Sequence, residues 1–105
     1  MARSDRPARP LDNAALERLA LRYVEGFATT RAKLVQYLSR KVRERGWEGD
    51  SPDPAGLAER FAELGYIDDR AFGEARARSL TRRGLGTRRV AMALAQAGVP
   101  GEDRE

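Results

Sequence analysis

The sequence contains no cysteine and no histidine, and only seven of its 105 residues are aromatic. Without Cys there is no disulfide frame, no zinc finger and no thiol nucleophile. Without His the commonest acid–base group and metal ligand is missing. Ser–His and Cys–His catalytic arrangements are therefore excluded. No apolar run approaches the roughly 18 residues that a membrane-spanning helix needs. The start, Met1 to Pro10, has no apolar stretch and does not read as a secretory signal. These absences lead us to expect a soluble, cytoplasmic chain without membrane contact, cofactor or metal. Lysine is scarce too: Lys33 and Lys41 stand against 18 Arg. The Arg fork suits phosphates and carboxylates. However, 17 Ala accompany it, and GC-rich coding favours both residues, so composition alone does not make the Arg excess functional. The length fits one small domain or a short repeat array with one modest core.

What is present is helical periodicity. Residues 1–11 carry Arg3, Arg6 and Arg9 with Pro7 and Pro10, and read as a disordered basic tail. A first helix is expected over about Asp12 to Glu25, capped by Asp12. Its apolar stripe is Leu16, Leu19, Ala20, Tyr23 and Val24, continued by Phe27. A second helix is expected from Arg31 to Arg45, capped by Thr29 or Thr30, with Leu34, Leu38 and Val42 inward. Gly46 is its left-handed cap, and Trp47 is expected to fold back on the last turn. Asp53-Pro54 starts a third helix, to Leu64, with Leu57, Phe61 and Leu64 as its stripe. Gly65 ends it, and Tyr66 and Ile67 supply the apolar contact after the cap. A fourth helix follows Asp68-Asp69 and runs to about Arg82, with Phe72 and Ala75 expected on its inner face and Ser79 further along. A fifth runs from Thr87 to Ala97, with Val90 and Leu94 inward and Met92 nearby. No segment alternates with period two, so the fold class is all-α.

A shift of 56 residues superposes two helix pairs. Leu16 falls on Phe72, Leu19 on Ala75, Leu34 on Val90 and Leu38 on Leu94. The expected organisation is a tail over 1–11, a three-helix repeat over 12–67, two helices of a second repeat over 68–99, and a tail over 100–105. Repeat arrays present extended surfaces and generally bind rather than catalyse.

Two basic patches are candidates for contact. Lys33, Arg40, Lys41 and Arg43 lie on the second helix, within a stretch 26–46 of net charge +5. Arg82, Arg83, Arg88 and Arg89 flank a glycine-rich turn at the start of the fifth helix, where free amides can meet a phosphate or an acidic surface. This is not a Walker loop: no Lys-Ser/Thr pair follows and no strand precedes it. Few aromatics stand near these residues in sequence, which argues against a base-stacking platform. Asp68 and Asp69 read as helix caps rather than a metal pair. Glu48, Asp50 and Asp53 lack the spacing of a calcium loop.

The stretch Asp68 to Val99 resembles the RecX family of bacterial recombination regulators. The resemblance rests on Asp68, Asp69, Phe72, Arg78, Ser79, Arg82, Arg83, Gly84, Gly86, Arg88, Arg89, Val90, Leu94 and Gly98. Leu19, Tyr23, Thr30-Arg31, Leu34, Leu38 and Gly46 look like the family's first repeat. The resemblance implies tandem three-helix repeats without enzymatic activity. It implies binding of the RecA recombinase on DNA and modulation of its filament, most often by inhibition, in DNA repair and the SOS response; the chain itself is expected to be a monomer. Lys33, Arg76 and Leu85 depart from the family pattern, which usually has Glu, an aromatic and a basic residue there. The family usually has three repeats, and the chain reads as an array cut short before completing two. The alternative reading is a small DNA-binding module that uses the second and fifth helices.

Overall fold

A computed structural model describes residues 9–104. It contains five α-helices: α1 Asn13–Gly26, α2 Arg31–Arg45, α3 Pro54–Glu63, α4 Asp69–Arg82 and α5 Thr87–Gln96. A short 3₁₀ turn, Gly101–Asp103, follows. Four helices begin on a side chain that accepts an otherwise free amide of the first turn. Asp12 takes Ala15 N at 2.9 Å, Thr30 takes Lys33 N at 3.1 Å, Asp53 takes Gly56 N at 3.0 Å and Asp68 takes Ala71 N at 3.0 Å. The exception is α5, whose cap position is Gly86 and which has no side-chain cap.

The 56-residue period persists in three dimensions. α1 and α4 have the same length and start 56 positions apart, as do the starts of α2 and α5. Burial follows the period only in part. Leu38 and Leu94 are both buried, as are Leu11 and Ile67. Leu16 and Ala20 are buried, whereas their counterparts Phe72 and Arg76 are half-buried and exposed. The cause is α3, which packs chiefly on α2. Its Leu57, Ala58 and Phe61 join Leu16, Ala20, Leu34 and Leu38 in one apolar cluster. Each fully buried Leu contributes about 2 kcal/mol. Arg60 of α3 also reaches Glu17 of α1 at 2.6 Å. Among the described residues no third helix covers α4 and α5 in the same way. Leu80, Leu94 and Val99 are buried in that pair, apart from the main cluster.

Several expectations are corrected. Leu11 is not part of a disordered tail: it is fully buried and bridges the chain beyond α2, with Leu11 N donating to Gly46 O at 2.9 Å and Glu48 N to Leu11 O at 2.8 Å. Residues 1–8 of that expected tail lie outside the described residues. The backbone of Trp47 bridges to Leu11, and its side chain packs against the apolar cluster. Gly46, at φ +87°, makes the left-handed turn that allows this. Leu64 is exposed, because α3 ends one residue earlier and Ile67 takes the buried place after the cap. Phe27 is 63% exposed, as the chain turns extended there and leaves the stripe of α1.

The inner face of α4 is not Phe72 and Ala75 but Asp69, Gly73 and Leu80. The C-terminal segment, expected to be a tail, folds against this face as the 3₁₀ turn. A Cβ on Gly73 would stand 2.9 Å from Asp103 O, so only glycine admits the turn. Arg104 Nε donates to Val99 O at 2.7 Å and helps hold it.

The two helix pairs meet at a polar junction. Arg31 at the start of α2 donates its backbone N–H and its Nε to the Asp69 carboxylate, at 2.9 and 3.0 Å. Its Nη1 reaches Glu59 of α3. The Asp69 side chain is only 4% exposed. Asp69, expected to cap its own helix, is instead the buried partner of Arg31. These bonds, the one to Asp69 first, hold the Arg31 guanidinium above its ordinary pKa. Thr30 Oγ1 donates to Ala97 O at 2.8 Å while also capping α2. Gly98, at φ +87°, lies against Ala32 so closely that a Cβ would come within 2.6 Å.

Candidate interaction surface

α2 presents Lys33, Arg40 and Lys41 around Tyr37. The Tyr37 ring stacks on Tyr23 of α1 at 4.3 Å between centroids. Phe27 tilts against Tyr23 at 5.2 Å. The Arg40 and Lys41 cations lie 5.6 and 5.7 Å from the Tyr37 ring, within cation–π range. Both also approach Glu44, at 3.7 and 3.8 Å. Such exposed pairs are worth little in water. Lys33 lies 5.7 Å from the Phe72 ring of α4. Arg43 is exposed and makes no ion pair among the described residues.

The second patch differs in kind. Arg82, Arg83, Arg88 and Arg89 are all exposed, and none forms an ion pair among the described residues. They surround Gly84, at φ +95°, and Gly86. With no side-chain cap on α5, the amides of its first turn remain open beside four positive charges. The period places Arg89 where α2 has Lys33, and Arg83 where α1 has Phe27. No ion pair, hydrogen bond or ring contact joins the two patches among the described residues.

The sequence reading missed Tyr23, Phe27 and Tyr37 as neighbours of the α2 cations. Two signals were available. Tyr23 and Phe27 are four apart on one helix face, and Tyr37 is followed three and four residues later by Arg40 and Lys41. The pairing of Tyr23 with Tyr37 across two helices had no local signature. Among the described residues no three Asp, Glu, His or Cys side chains gather in a group able to hold a metal. No described helix is long and apolar enough to cross a membrane.

Capped amphipathic helices in a repeated pair, with a principal-axis extent of 51 Å, define an all-α helical-repeat protein. Comparison with known proteins gives the particular family. Residues 68–105 match the family described as RecX, second three-helix domain. The regulatory protein RecX of Myxococcus xanthus (strain DK1622) is 32% identical over 104 residues, covering 91% of this chain. The chain belongs to the RecX family of regulatory proteins. It spans 56% of the length of that relative. No solved structure matches the chain.

Proposed function

We propose that this chain binds the RecA recombinase on DNA and restrains its filament in DNA repair and the SOS response. It acts as a cytoplasmic monomer and without catalysing a reaction. The observation that carries this reading is family membership across most of the chain. The cationic surfaces of α2 and of the α4–α5 turn suit the carboxylates of a filament surface and the phosphates it encloses. We take 12–67 as one repeat and 68–99 as the helices of a second, so that each offers its second helix to the filament. Lys33, Arg40, Lys41 and Arg43 then make one contact, and Arg82, Arg83, Arg88 and Arg89 the other. Bridging two places on a filament multiplies weak contacts.

The test is the DNA-dependent ATPase of recombinase filaments with increasing amounts of the chain. A dose-dependent fall is expected, together with co-sedimentation. No change at stoichiometric excess refutes the reading.

The open amides of α5 favour a second reading, direct DNA binding through the α4–α5 turn. It predicts salt-dependent DNA binding without recombinase, lost in the double variant Arg88→Ala, Arg89→Ala. Unchanged affinity in that variant removes it.

A further inference from the structure

The stripe of α4 that was expected to face inward lines a groove instead. Ala28, Tyr66, Phe72 and Ala75 form its floor and walls, enclosing about 460 Å³. A second depression, of about 370 Å³, lies beside Tyr23 and Tyr37 and is lined in part by Lys33, whose ammonium is 5.7 Å from the Phe72 ring of the first. Five of the seven aromatic residues, Tyr23, Phe27, Tyr37, Tyr66 and Phe72, thus line these two depressions. Its rim is cationic: Arg22, Lys33 and Arg76 form no ion pair among the described residues. Asp68 is the one carboxylate lining either depression, and its Oδ1 is already engaged by the Ala71 amide.

We propose that the groove between the α1–α2 turn and α4 docks an acidic peptide segment carrying a bulky apolar residue. The apolar residue fills the space over Phe72 and Ala75, and the flanking carboxylates meet Lys33, Arg76 and Arg22. Charge complementarity selects the acidic partner, and a concave apolar pocket selects a side-chain anchor. A nucleic-acid base fits less well, because the Tyr37 ring is already engaged. Tyr37 carries Tyr23 and two cations. The proposal rests on the reading that the chain works by binding a protein.

The test uses the whole chain and fluorescence anisotropy of a labelled synthetic peptide of Asp and Glu with a central Leu-Phe pair. Saturable, salt-weakened binding is expected. Replacing Leu-Phe by Ala-Ala is expected to weaken it by at least about tenfold. Phe72→Ala or Ala75→Glu in the protein is expected to weaken it as much, and Leu64→Ala, an exposed apolar position outside the groove, leaves it unchanged. Ala75 is exposed, so Ala75→Glu retains the helical circular dichroism and melting of the parent chain. Absence of saturable peptide binding overturns the proposal. So does an oligothymidylate that competes with equal affinity while Ala75→Glu binds both probes normally. The recombinase ATPase separates this failure from failure of the regulatory reading. Peptide binding lost in Ala75→Glu while inhibition is retained in full supports the groove and separates it from filament regulation. Peptide binding without any effect on the filament supports the groove and removes regulation by that route.

Discussion

The α1–α2 pair and the α4–α5 pair share a period, a cap at Asp12 or Asp68, and a buried Leu at 38 or 94. They differ in what covers them. α3 seals the first pair, so Leu16 and Ala20 sit in a core. In the second pair the equivalent positions are Phe72 and Arg76, and both meet solvent. The same backbone plan therefore supplies stability in one half and open surface in the other. The comparison teaches that a stripe position in a repeat is defined by its neighbour, not by its helix.

Several substitutions break or sharpen that comparison. Leu16→Ala should cost about 3 kcal/mol in urea denaturation, as a buried large-to-small change, whereas Phe72→Ala at the equivalent position should cost about 1 kcal/mol. Equal losses would mean that the second pair is as closed as the first. Arg31→Ala cuts the junction between the pairs and leaves the buried Asp69 carboxylate with one backbone donor, at a cost of about 2 to 3 kcal/mol. An Arg31 pKa raised by folding favours the folded state at every pH below the unfolded value. That contribution is lost only as pH climbs through the raised value, so alkaline titration should show no inflection from Arg31 below about pH 11. Gly98→Ala forces a side chain into left-handed backbone and against Ala32, and thermal denaturation should report a loss of about 2 kcal/mol. The smallest effect is a gain. Gly86→Ser gives α5 the cap that Thr30 gives α2, at an extended φ with open space around it, and should add roughly 0.3 kcal/mol. The same change fills the open amides, so it should also weaken any anion binding at α5.

The helices were legible because their start and stop signals are local. Asp12, Thr30, Asp53-Pro54 and Asp68 each mark a start, and Gly46, Gly65 and Gly98 each mark a turn, within a few residues of the boundary. The inner face of α4 was not legible in the same way. Its bulky Phe72 looked like a core residue, whereas the true buried position is Gly73, chosen for how little space it takes beneath the C-terminal turn. Leu11, isolated among prolines and arginines, had no periodic neighbours to mark it, and its burial depends on Trp47 36 positions away. The cations of both patches could be named from sequence. The aromatic surface beside one of them could not, because it draws on α1, α2, α4 and the turn before α4.

By itself the sequence determined the helical class, the 56-residue period and the exclusion of thiol and histidine chemistry, since each follows from residue identity and short-range spacing. Only the tertiary structure decided which repeated positions are core and which are surface. Burial is a property of two elements meeting. The Arg31–Asp69 junction, the 3₁₀ turn on Gly73 and the groove over Phe72 all arise where segments distant in sequence come together.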